Sequence, residues 1–142
     1  MSIASESSKM NLYFLTNELG LRKEKNTTLF RKGNFFVVSP SVQNNSNWFD
    51  IGESIIEQYN PEIHEGYLLI RFKDTFLMAK LTSFQKKMMI NETQPNSKTK
   101  PPHWKFKVME ANKPYILNMG DSDLKFPIQV PSENQLKKFF NK

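Results

Sequence analysis

The clearest pattern in the chain is strict alternation from His103 to Met109. Trp104, Phe106 and Val108 fall on one side, and His103, Lys105 and Lys107 on the other. Period two is the mark of a half-buried strand, with its apolar side to the core. Two denser runs, Tyr67 to Phe72 and Thr75 to Leu81, are separated only by Lys73-Asp74, and this spacing predicts a hairpin. Further strands are predicted at Asn11–Thr16, at Asn34–Ser39 before Pro40, at Pro114–Met119 and at Lys125–Val130. Trp48 to Ile51 resumes apolar character after a polar loop over residues 41–47. Helical spacing appears at Ile55, Ile56 and Tyr59, ended by Asn60-Pro61. It recurs at Phe84, Met88 and Met89, with Thr82 or Ser83 as the cap, and at Leu136 with Phe139-Phe140, where Ser132 is the cap. Residues 17–26 read as a charged loop with room for one helical turn, and residues 91–102 as a long polar loop.

These elements imply an α+β fold: a curled, mostly antiparallel sheet or a partly open pseudobarrel, with two or three short helices. Residues 1–10 read as a disordered polar arm and residues 11–142 as a single globular domain, which suits the 142-residue length. The N-terminal stretch lacks a signal-peptide core and no apolar run spans a bilayer, so a cytoplasmic protein with no membrane partner is expected.

Composition excludes several chemistries. There is no cysteine, so disulfide scaffolds, cysteine-ligated metals and thiol catalysis are ruled out. The two histidines, His64 and His103, sit far apart, and no Gly-rich phosphate loop exists. His64, between Glu62 and Glu65, reads as a solvated surface residue. Asp121-Ser122-Asp123-Leu124-Lys125 has the outline of half a nuclease motif, but Gly-Asp-Ser-Asp between strands reads as a turn. No catalytic residue, metal ligand or cofactor is expected.

Charge supplies the functional lead. Residues 1–50 hold six basic and four acidic groups, residues 51–94 five and six, and residues 95–142 nine and four, so the net charges are +2, −1 and +5. Basic regions set apart from a neutral body suit a polyanion, although a lysine-rich surface also serves solubility. In the second half, Lys98, Lys100, His103, Lys105, Lys107 and Lys113 form one cluster, and Lys105 and Lys107 share a strand face about 7 Å apart. These read as contacts to a nucleic-acid backbone. In the first half, Lys23, Lys25 and Lys32 are backbone candidates, while Arg22, Asn26 and Arg31 have the side chains that pair with base edges. Trp48, after an Asn/Ser loop, is the aromatic candidate for a flipped or modified base.

Trp104-x-Phe106-x-Val108, a turn, then Tyr115-x-Leu117 and Gly120, resembles the second half of the B-three pseudobarrel DNA-binding domain. Phe14-Leu15-Thr16-Asn17-Glu18-Leu19-Gly20 is similar to that family's first strand and following loop. The family occurs in plant transcription factors and as the recognition domain of some bacterial restriction endonucleases. This sequence departs from it after Gly120, where the closing strand of the family is replaced by a helix. The resemblance implies two arms on duplex DNA: the loop with Arg22, Asn26 and Arg31, and the loop before Lys105 and Lys107. The expected function is therefore a DNA-binding module, part of a restriction or regulatory protein of a bacterium or phage, with duplex DNA as partner. The alternative is a protein–protein interaction module, such as a small phage or accessory protein, that docks an acidic partner.

Overall fold

The computed structural model describes residue 9 and residues 11–25, 27–94 and 102–141. Its strands are β1 (Arg22–Lys23), β2 (Leu29–Lys32), β3 (Phe35–Val38), β4 (Ser41–Val42), β5 (Trp48–Gly52), β6 (Glu65–Phe72), β7 (Thr75–Lys80), β8 (His103–Met109), β9 (Tyr115–Asn118) and β10 (Asp121–Pro127). Besides the helical residues 11–13, the α-helices among the described residues are α1 (Glu53–Ile56), α2 (Leu81–Met88) and α3 (Glu133–Phe140). The architecture is α+β, with one mixed and one antiparallel sheet, and it does not close into a barrel.

The first sheet runs β1-β2-β3-β6, with β4 continuing along the edge that β3 uses on β6, and β7 on the other edge of β6. β3 and β4 both pair with β6 in parallel, and the remaining ladders are antiparallel. The second sheet is an antiparallel set in the order β10-β9-β8-β5. Its inward side chains, Phe49, Ile51, Trp104, Phe106, Val108 and Ile116, pack with Phe36, Leu68 and Ile70 of the first sheet and with Phe84 and Met88 of α2. The opposite face of the first sheet, bearing Phe30, Val37, Leu69 and Phe76, is covered by Leu15 and Leu19 near the N-terminus and by Leu136 and Phe140 of α3. The first sheet is thus buried on both faces, which accounts for the unbroken apolar run of β6. The second sheet is buried on one face, which accounts for the alternation of β8.

Several elements differ from expectation. Asn11–Thr16 is not a strand: residues 11–13 are helical and Phe14–Glu18 is a π-helix, closed by Leu19 N–H donating to Phe14 O at 3.0 Å. A short apolar run does not distinguish a buried helix from a strand, and here Phe14, Leu15 and Leu19 reach one core. The segment likened to the first strand of the B-three family is therefore helical. The charged loop contains β1, paired with a β2 that the polar pattern concealed, and the 41–47 loop begins with β4. The last strand lies earlier than expected, at β10. Neither Thr82 nor Ser83 caps α2; its N-cap is Lys80, without a side-chain bond, and the Thr82 hydroxyl lies 2.7 Å from that of Tyr59. The hairpin over Lys73-Asp74 forms in the expected register, Phe72 opposite Thr75, with Lys73 at φ 54°. The proposed disordered arm falls, apart from Lys9, outside the described residues. Among the described residues, no helix is long and apolar enough to cross a membrane.

Candidate nucleic-acid interface

The outward face of the second sheet is built by registers that sequence spacing cannot give. Trp48 of β5 faces Lys107 of β8, Lys107 faces Leu117 of β9, and Leu117 faces Lys125 of β10. With strands about 4.8 Å apart, this row spans about 14 Å. In the next row Asp50 faces Lys105, whose carbonyl accepts the Met119 N–H at 2.9 Å. His103, at the start of β8, faces Gly52. None of these outward side chains is buried, and Trp48 is 39% exposed. The Lys105 ammonium lies 3.9 Å from the centroid of the Trp48 indole, and that of Lys125 lies 5.8 Å from the Tyr115 ring. Such contacts hold lysine stems against aromatic faces. Among the described residues, Lys105, Lys107, Lys113 and Lys125 have no carboxylate within 4.0 Å, the ion pairs being Lys73–Glu110 and Lys137–Glu18.

Beside Trp48 and Lys105 lies a cleft of about 330 Å³, completed by Glu92, Thr93, Gln94, Met119 and Gly120. Gly120 passes so close to Thr93 that a Cβ there would collide with the Thr93 carbonyl. The Gln94 Nε2 is enclosed without a hydrogen-bond partner among the described residues.

The N-terminal basic group divides. Arg22, Lys23 and Lys25 are exposed on or beside β1. Arg31 faces Arg22 across the ladder, and its guanidinium lies 5.5 Å from the Phe36 ring and 3.3 Å, through Nη2, from His64 Nε2. Lys32 donates to Leu19 O at 3.0 Å, Phe140 O at 2.9 Å and Asn141 Oδ1 at 2.6 Å, so its ammonium ties the molecule together. Asn26, Lys98 and Lys100 lie outside the described residues. The hairpin belongs to the first sheet and the Trp48–Lys107 face to the second, so the structure forms two basic surfaces.

One sequence reading changes here. His64 is not a solvated surface residue. It is half-buried, stacked 5.1 Å from Phe36, and its Nδ1 accepts the Asn60 N–H at 3.0 Å. Burial, and then the Arg31 charge, hold its pKa below the usual 6.5. Arg71 is buried against the Phe30 ring and donates from Nε and Nη2 to Ser39 O at 3.3 and 2.8 Å. The turn lies at Met119-Gly120, and Asp121 and Asp123 stand in the bulged start of β10, Asp121 Oδ1 accepting the Asp123 N–H at 3.0 Å. Among the described residues, no three His, Asp or Glu side chains gather as a metal site. The Lys125–Tyr115 contact was missed in the sequence because a bulge between Asp121 and Lys125 sets its phase.

Compared with protein-family models, curated proteins and solved structures, the chain finds no match.

Proposed function

We propose that the chain is a nucleic-acid-binding module whose contact surface is the outward face of the second sheet, with duplex DNA as the form its sequence favours. The observation that carries the reading is the row Trp48–Lys107–Leu117–Lys125, with Lys105 stacked on Trp48. Among the described residues, it places lysines with no carboxylate within 4.0 Å beside an exposed aromatic ring on the sheet face that points away from the core. Lysine positions the phosphate backbone as a point charge, and an aromatic face accepts a base. Net +5 over residues 95–142 supports it, as does the resemblance of β8 and β9 to the B-three domain. A role as the recognition part of a cytoplasmic restriction or regulatory protein extends the same reading.

Fluorescence anisotropy against random duplex at several salt concentrations tests it. Five to eight phosphate contacts give a log–log slope of about −4 to −7. Replacing Lys105 and Lys107 together by Ala is expected to flatten the slope by about two and leave the fold intact. No binding at low salt, or a flat response, overturns the proposal. That result favours the protein-docking alternative, for which the structure offers a cleft of about 510 Å³ containing Tyr67, Met78, Val130, Leu136 and Phe139.

A further inference from the structure

The β1–β2 hairpin presents an electrostatic problem that its own residues do not solve. Arg22 and Arg31 stand directly opposite each other. Like charges in facing positions of an antiparallel ribbon oppose its pairing. Among the described residues, neither guanidinium has a carboxylate within 4.0 Å. Arg31 is the more demanding of the two, because its Nε is enclosed and makes no hydrogen bond. Among the described residues, its Nη2 meets only His64 Nε2, at 3.3 Å. Since His64 Nδ1 accepts the Asn60 N–H, the proton of the neutral ring sits on Nε2, which then has nothing to accept with. Arg31 is left with unmet donors in a half-buried setting.

Next to the two arginines is a cleft of about 500 Å³ lined by Gly20, Arg22, Glu24, Arg31, Lys32 and Gly33. Its side chains sum to +2, three cations less one carboxylate. The two glycines contribute no side chain to fill it. Lys32 is held at its wall by three oxygen acceptors, so that its charge is fixed in place. A carboxylate ligand would offer one negative charge and two oxygens, whereas a terminal phosphate offers nearly two charges and three oxygens.

We propose that this cleft binds a terminal phosphate group, as inorganic phosphate or a phosphate monoester, held between the Arg22 and Arg31 guanidiniums that line it. The group bridges the facing arginines and matches the local charge. Guanidinium is the side chain best suited to this task, because its planar fork meets phosphate oxygens in pairs. The assignment gives the hairpin arginines a phosphate in place of a base edge. It goes beyond the nucleic-acid reading of the second sheet and does not rest on it.

Thermal unfolding of the full chain in inorganic phosphate, against chloride at equal ionic strength, tests the site. Saturating phosphate is expected to raise Tm by about 3 °C or more, because a ligand that binds only the folded state stabilises it. Arg22→Gln, at an exposed position, is expected to fold normally and lose that rise, and Arg31→Gln to lose it as well. The Lys105→Ala/Lys107→Ala protein is expected to keep it, which separates this site from the sheet face. A second arm compares one short oligonucleotide with a 5′-phosphate or a 5′-hydroxyl. Tightening of about fivefold or more by the 5′-phosphate, absent in Arg22→Gln, supports the site and assigns a nucleic-acid end as the source. A response to inorganic phosphate alone supports it with the free anion as the source. No response to either ligand, or an undiminished response in Arg22→Gln, overturns the proposal.

Discussion

His64 shows how far a residue's surroundings can alter its chemistry. Flanked in sequence by polar and acidic neighbours, it nevertheless packs in a three-ring cluster with Phe36 and Tyr59, at 5.1 and 6.1 Å, with Arg31 at its edge. The folded ring therefore takes up a proton at lower pH than the unfolded ring, whose pKa is about 6.5. Stability from the neutral ring is complete above that value and declines as pH falls through the lowered folded pKa. Thermal midpoints measured from pH 7.5 to 5 are expected to fall more steeply for the native chain than for His64→Gln; parallel curves would contradict this. Residue type alone was an incomplete guide in the same way for the arginines. Arg71, to which the sequence assigns no role, supports the break between β3 and β4 through the Ser39 carbonyl. That role depends on a parallel pairing of residues some thirty positions apart, which local sequence does not encode. Trp104 was legible, because alternation fixes its phase: it is 4% exposed, and its Nε1–H donates to Ile90 O at 2.9 Å.

At the scale of elements, legibility followed the strength of the local signal. β8, the β6–β7 hairpin and α3 each have one dominant pattern, and each formed where expected. In α3 the Ser132 hydroxyl accepts the Gln135 N–H at 3.1 Å while the Gln135 side chain accepts the Ser132 N–H at 2.8 Å. This capping box satisfies two donors that the first turn leaves open. Ser132→Ala is expected to lower unfolding free energy by about 1 kcal/mol in urea titration, with an unchanged m-value. The misread elements are those whose apolar positions are few or whose partners are distant. β1 and β2 carry four basic residues in six, so their polarity resembles a loop, and only pairing shows them as strands. Gly33, at φ 56°, turns β2 into β3 in a conformation that other residues adopt with strain. The candidate surface was legible along one strand, Lys105 and Lys107, and not across strands. Trp48 and Lys125 join it only through register, which is a property of the assembled sheet.

In the whole molecule the two sheets are threaded through each other's sequence. β3 pairs with β6 across an interval that contains β5, and β5 leaves to join the second sheet, where Phe49 faces Phe106. Neither sheet is complete without segments from both halves of the chain, and one core lies between them. Unfolding is therefore expected to be a single transition, with coincident denaturant curves from far-ultraviolet circular dichroism and from tryptophan fluorescence. Separated curves would show that the sheets unfold independently. The position of β5 also bears on synthesis. On the ribosome, β5 emerges well before β8, at about 5–20 residues per second. Until β8 follows, Phe49 and Ile51 lack their facing partners Phe106 and Trp104, and the edge of β5 is open to pairing with another nascent chain. The interval between β5 and β8 is thus the period in which a chaperone has most to protect.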